Sequence, residues 1–295
     1  MMRDFLKTIE QGVFLFDGGI GTQLQAHGLK VGESPEKWNL ERPQVVEQIH
    51  ANYVAAGARA VTTNTFGGSP HKLKSEGLAD KVVELNRAAA QLARKAAGNR
   101  VFVAGSVGPT GALIMMGELS PEEMRRGFEQ QVRGLIEGGA DVIIIETMSD
   151  LDEAKLALEA AKNVSDLPVI VSMTYEPGAR GFRTMMGVDI ATAVQVLEEA
   201  GADVLGTNCG TGIDKAIEIV AEMRQHTTRP ILAEPNAGLP KLVDGRTVYE
   251  ETPERMAGKL PELIKAGANI VGGCCGTTPE HIKLFSKIIS EKFEN

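Results

Sequence analysis

Three cysteines stand in this 295-residue chain, and two of them are neighbours, in Gly272-Gly273-Cys274-Cys275-Gly276-Thr277-Thr278-Pro279. The third follows an asparagine, in Asn208-Cys209-Gly210. Three thiols make no disulfide framework. They could ligate a thiophilic metal, attack an electrophile, pair as a strained vicinal disulfide, or sit as small buried residues. Two carboxylates stand out beside them. Asp17 ends the apolar run Val13 to Phe16 and precedes Gly18-Gly19-Ile20-Gly21-Thr22, while Glu146 ends Val142-Ile143-Ile144-Ile145. Asp17 could simply cap the following turn. A carboxylate closing a fully apolar strand, as Glu146 does, costs free energy unless it meets a cation.

The elements that must position these residues follow from an internal repeat. Ala56-Gly57-Ala58, Gly138-Gly139-Ala140-Asp141, Ala200-Gly201-Ala202-Asp203 and Ala266-Gly267-Ala268-Asn269 each end an amphipathic helical stretch and open a short apolar run. The glycine suits the left-handed position after a helix. The apolar runs read as strands buried on both faces of a parallel sheet. Four more runs, Val13 to Phe16, Val101 to Ala104, Val169 to Ser172 and Ile231 to Ala233, bring the strands to eight. Helices are expected from Pro43, from the capping box Ser120-Pro121-Glu122-Glu123 and from Thr278-Pro279. The first carries Val46, Ile49, His50 and Tyr53 on one face. Eight strands alternating with helices predict a single-domain α/β fold over residues 1–295, a (β/α)8 TIM barrel.

Counting from the alanine after each repeat glycine, the sixth and seventh residues are Asn64-Thr65, Glu146-Thr147, Asn208-Cys209 and Cys274-Cys275. All should lie at the C-terminal strand ends, where such barrels carry their sites. The long strand-to-helix links, Gly18 to Arg42, Val107 to Leu119, Tyr175 to Val188 and Asn236 to Thr252, lie on that side. Met115-Met116 and Met185-Met186 fall in these links and read as loop packing. Cys209, Cys274 and Cys275 then converge on one mouth. Three thiolates with one open position match a catalytic zinc site. Asp17 and Glu146 suit a substrate ammonium, and Thr65, Ser106, Thr147 and Asn208 could supply neutral donors. None of the five histidines has zinc-site spacing; His281 and His50 read as helix residues.

Other classes are disfavoured. A net charge of −8 argues against a nucleic-acid groove. The longest apolar runs are far shorter than the ~20 residues of a membrane span. The N-terminus Met1-Met2-Arg3-Asp4 lacks a signal-peptide core, so a cytoplasmic location is expected. No phosphate-loop motif is present, and Gly19-Ile20-Gly21 does not extend to the dinucleotide fingerprint.

Taken in order, the segments quoted above, with Thr63-Asn64-Thr65-Phe66-Gly67, Gly105-Ser106-Val107-Gly108-Pro109 and Glu234-Pro235-Asn236-Ala237-Gly238, resemble the homocysteine S-methyltransferase family. The resemblance spans nearly the whole chain, and the doubled cysteine between glycines is its most specific element. It implies the barrel fold and one Zn2+ on Cys209, Cys274 and Cys275. It implies an L-homocysteine pocket with Asp17 and Glu146 at the amino group, and Thr65 and Ser106 near the carboxylate. Pro35-Glu36-Lys37-Trp38-Asn39-Leu40 and the run Gly273 to Ile282 resemble the homocysteine module of cobalamin-dependent methionine synthase. With no D-x-H-x-x-G corrinoid signature, no cobalamin site of its own is expected, and a separate corrinoid protein would deliver the methyl group. Donors of the other branches are S-methylmethionine, whose branch usually has Arg at the position of Gly276, and betaine, which needs an aromatic cage. Trp38 and Tyr175 are the mouth-side aromatics for such a cage. A metal-free barrel with Cys209 as nucleophile would need a nearby base. A non-catalytic zinc subunit would not need Asp17 and Glu146.

Overall fold

All eight apolar runs are strands. The computed structural model describes residues 4–30, 32–112, 116–243 and 246–293; Met1 to Arg3 and Met115 lie outside them. The strands are β1 (Phe14–Leu15), β2 (Ala60–Thr62), β3 (Phe102–Val107), β4 (Val142–Met148), β5 (Val169–Met173), β6 (Val204–Asn208), β7 (Ile231–Glu234) and β8 (Ile270–Val271). They pair in parallel in the order β1-β8-β7-β6-β5-β4-β3-β2. The Arg59 N–H donates to the Leu15 carbonyl at 2.8 Å and ties β2 to β1. The outer layer is α1 (Pro43–Ala55), α2 (Val82–Ala97), α3 (Pro121–Glu137), α4 (Leu151–Val164), α5 (Ile190–Glu199), α6 (Ile213–Arg224), α7 (Pro253–Ala266) and α8 (Pro279–Lys292). This is the (β/α)8 barrel. No described helix is long and apolar enough to cross a membrane.

The repeat works as the sequence requires. Gly57, Gly139, Gly201 and Gly267 take φ between 95° and 122°, a conformation open to glycine at little cost. Two residues later, Asp141, Asp203 and Asn269 each accept the N–H of a strand start: Val103 at 2.8 Å, Val169 at 2.8 Å and Ile231 at 3.0 Å. Arg94, Lys162 and Arg224 cover them. One device, used three times, fixes strand height and so the height of the residues at the other end. Inside the barrel the N-terminal helix Phe5–Ile9 inserts Phe5 against Phe14 and Phe102, with ring centroids 5.6 and 5.4 Å apart.

The long links are not bare loops. The first holds helices Ile20–Ala26 and Trp38–Glu41. The links after β5 and β7 hold antiparallel hairpins, Glu176–Gly178 with Gly181–Arg183 and Lys241–Val243 with Arg246–Val248.

Candidate metal and substrate site

The strand ends bring three thiols together. The Sγ atoms of Cys209, Cys274 and Cys275 all lie within 4.8 Å of one another, and none is in a disulfide. The extension of β7 runs between the two thiol-bearing segments and holds both. The Cys209 N–H donates to the Glu234 carbonyl at 3.2 Å, and the Cys274 N–H to the Pro235 carbonyl at 3.0 Å. The Cys275 N–H donates to Asn236 Oδ1 at 3.0 Å. Thr277 fastens the turn from below: its hydroxyl donates to the Cys274 carbonyl at 2.7 Å and accepts the Gly19 N–H at 3.0 Å.

Cys209 has φ 59°, in the left-handed region that a side chain occupies at a cost. The turn aims its sulfur at the other two. Thiols of Cys274 and Cys275 donate to it and hold it far below an ordinary cysteine. Cys274 is pushed up in return, because its proton serves the Cys209 sulfur. A lone metal-free nucleophile would have a base beside it; here each thiol is bonded first to the other thiols. Three converging sulfurs, one already acidic, fit a thiophilic metal held by three protein ligands.

Beside the thiols opens a pocket of about 600 Å³. Asp17, at the end of β1, is 2% exposed. Its two oxygens accept the Thr62 N–H at 2.8 Å and the Thr62 hydroxyl at 2.9 Å. Burial raises it to about 7 against those bonds. Glu146, at the end of β4, takes bonds from the Ser106 hydroxyl and from Asn208 Nδ2, the latter at 3.3 Å. Burial raises it to about 7 as well. A third strand-end acid, Glu234, lines the same pocket. Burial, then the charges of Glu146 and Asp17, push it well above the carboxylate range.

The site residues expected from the sequence separate into walls and supports. Asp17, Ser106, Glu146, Thr147 and the three cysteines line the pocket. Thr65 does not: it is buried, its hydroxyl donates to the Ser106 carbonyl at 2.7 Å and pairs with Thr63, and the wall is made by Thr62 and Thr63. Strand β2 stops at Thr62, so equal counting along the repeat overshoots the mouth there. Asn208 lies behind the wall. Its amide bonds to Thr147 and Ser172 as well as Glu146, and Nδ2 reaches Cys274 Sγ at 3.9 Å. Trp38 and Tyr175 are buried away from the pocket and build no cage around it. His281 caps the start of α8, and His50 is buried in α1.

The sequence reading quoted Glu234 and Asn236 but gave them no role, and it passed over Tyr249. Glu234 ends an apolar strand as Glu146 does, which was a usable signal. Tyr249 stands beside Cys275 on the second hairpin, where burial and then the Cys275 charge push its phenol up. Nothing in the local sequence of that hairpin points toward the thiols.

The sequence model of the homocysteine S-methyltransferase family matches residues 14–289. The chain belongs to the homocysteine S-methyltransferase family. Among its relatives are methionine synthases of Mycobacterium tuberculosis and Mycobacterium leprae, each 34% identical over 298 residues and 95% of this chain. The chain spans about a quarter of the length of these relatives, 25% and 24%. The metallated form of the homocysteine methyltransferase MmuM from Escherichia coli superimposes with a TM-score of 0.81 at 25% identity, covering 96% of this chain and 98% of that one. In this family member, Cys209, Cys274, Cys275 and the strand-end acids Asp17, Glu146 and Glu234 line one pocket.

Proposed function

We propose that this chain is a zinc-dependent methyltransferase that moves a methyl group from a methylcorrinoid, carried by a separate protein, to the thiol of L-homocysteine, giving methionine. The carrying observation is the convergence of three thiols with a carboxyl-lined pocket: one end of an amino thiol meets a sulfur-seeking centre, the other an acidic one. Cys209, Cys274 and Cys275 would hold one zinc ion. When bound, the zinc would supply an open fourth position and the charge that keeps a substrate thiol deprotonated at neutral pH. A metallated form of the E. coli homocysteine methyltransferase is in keeping with this.

The chain's own residues do the rest. Asp17 and Glu146 receive the ammonium, and Thr62, Ser106 and Asn208 hold those carboxylates in place. The segment Glu234 to Asn236 holds the cysteine backbones through two carbonyls and the Asn236 side chain, by bonds that need no metal. The sulfur of homocysteine forms a bond to the methyl carbon as the bond to the donor breaks, and the thiol proton goes to solvent.

The resemblance of Pro35 to Leu40 and the names of the relatives favour the corrinoid donor over S-methylmethionine or betaine. The absence of an aromatic cage among the described pocket residues weighs against betaine, since Phe66 is their one aromatic ring. Anaerobic assay of zinc-loaded protein with homocysteine and methylcobalamin tests the reading. Methionine is the expected product, and Cys275→Ser should lose zinc and product together. Turnover of S-methylmethionine without turnover of methylcobalamin would overturn the donor assignment. Full activity of Cys275→Ser would overturn the zinc assignment.

A further inference from the structure

We infer that Glu234 is the third arm of the ammonium site, and that it makes the pocket selective for a thiol bearing a primary α-amino group over the same thiol without one. The inference rests on the amino-thiol reading of the pocket given above.

In the barrel β7 lies between β6 and β8, so the end of β7 emerges between Cys209 and Cys274. Glu234 occupies that end with 5% of its surface exposed, in the same pocket as Asp17 and Glu146. Its two companions are already engaged. Both oxygens of Asp17 accept from Thr62, and those of Glu146 accept from Ser106 and Asn208. The carboxyl of Glu234 takes no hydrogen bond and no ion pair from any described residue. Gly272 packs close beside it: a Cβ there would lie 2.9 Å from the Asp17 carbonyl and from Phe16 Cβ, and 3.0 Å from Glu234 Oε1. Among the described pocket residues the one cation is Lys72, which sits in the short helix Pro70–Lys74 by Gly111.

A buried polar group is normally satisfied by the chain or by something the chain binds. Here the chain leaves a carboxyl uncommitted beside two others and places no cation among them. An ammonium carries three N–H donors and no acceptor. Three carboxyls from β1, β4 and β7 therefore match its donors in number and sign. The backbone of Glu234, which holds Cys209, is separate from this role and survives side-chain substitution.

The experiment compares homocysteine with 4-sulfanylbutanoic acid, its analogue lacking the amino group, on zinc-loaded wild type, Glu234→Gln and Glu234→Ala. Zinc content is measured for each. Wild type should bind homocysteine far better than the analogue. Glu234→Gln, which keeps the shape, should raise the KM for homocysteine about tenfold, the worth of one charge-assisted bond. It should leave kcat, zinc content and the affinity of the analogue within twofold. Glu234→Ala should behave alike. Unchanged discrimination in both variants, with wild type active on homocysteine, would overturn the assignment to Glu234 alone. Equal losses for both ligands together with lost zinc would show a structural role and overturn it too. Failure of wild type to bind homocysteine would overturn the amino-thiol reading and this inference with it.

Discussion

Thr147 and Cys209 share one backbone conformation, φ 60° and 59°, at the same place in the repeat, and Asn208 links them. Its Oδ1 accepts the Thr147 N–H at 2.9 Å and its Nδ2 donates to the Thr147 hydroxyl at 2.7 Å. The strained residue, at an irregularity of register near the end of β4, is thus bonded to the residue that precedes the strained thiol. Left-handed backbone costs such residues on the order of 1–3 kcal/mol. Thr147→Gly removes that cost and one hydroxyl bond, so urea unfolding should stay within about 1 kcal/mol of wild type. Thr147→Val keeps the strain and strips the hydroxyl, and should lose about 1–3 kcal/mol. Equal stability of the two variants would refute the coupling.

Gly276 is the second position at which backbone and site are tied. Its φ is 82°, and a Cβ there would collide with the ring of Tyr249, which flanks Cys275. Gly276→Ala should cost about 1–3 kcal/mol and speed the loss of zinc to a chelator. Gly28→Ala, at φ 101° with open space around it, serves as the control: it should cost stability without touching zinc retention.

The pocket acids set a pH dependence. Asp17 and Glu146 titrate at about 7 in the folded chain, above the values of 3.8 and 4.5 for free carboxyls. The folded state therefore holds protons that the unfolded state releases. Their contribution to stability is fully present below about pH 4 and is lost as pH rises through 7. Binding of an ammonium works in the opposite sense, because it needs them ionised. Homocysteine affinity should increase from pH 6 to pH 8, while the urea midpoint of the ligand-free chain falls over the same range. Asp17→Asn should flatten both trends, and a wild-type affinity independent of pH would contradict the assignment.

His50 gives a trend of the other sign. It is fully buried in α1, neither ring nitrogen has a partner, and burial lowers it to about 4 from 6.5. The unfolded chain binds the proton first, so stability present above pH 6.5 drains away as pH falls toward 4. His50→Leu, which fills similar space with no polar atoms, should unfold at higher urea than wild type at pH 5, with a smaller gain at pH 8. A larger gain at pH 8 would be inconsistent with a neutral buried imidazole.

Much of this was legible because the repeat carries its own ruler. A Gly-Ala pair opens four of the strands, and Asp141, Asp203 and Asn269, at the starts of three of them, bond to the starts of the neighbouring strands β3, β5 and β7 and so fix their relative height. Counting forward therefore found Glu146, Cys209, Cys274 and Cys275 together. The same count failed at Thr65, because β2 ends three residues before it and the chain turns. Thr62, which faces Asp17, was thereby missed. Asn208 was read as a donor to substrate, but its amide is consumed by the protein, and hydrogen-bond partners distant in sequence leave no local mark. The hairpin beside Tyr249 has strands of three residues, too short to show a periodic pattern in the sequence.

The aromatic plug has a consequence for the order of events. Phe5 packs against Phe14, Phe16 and Phe102 with ring centroids 5.4 to 6.3 Å apart and closes the barrel at the end opposite the thiols. The pocket is a blind well. Whatever rests against the sulfurs must arrive before anything that covers the rim, and cannot leave until the rim clears. Turnover should then follow a compulsory sequence, acceptor first and methylated product last, and an excess of donor should trap the empty enzyme in a dead end.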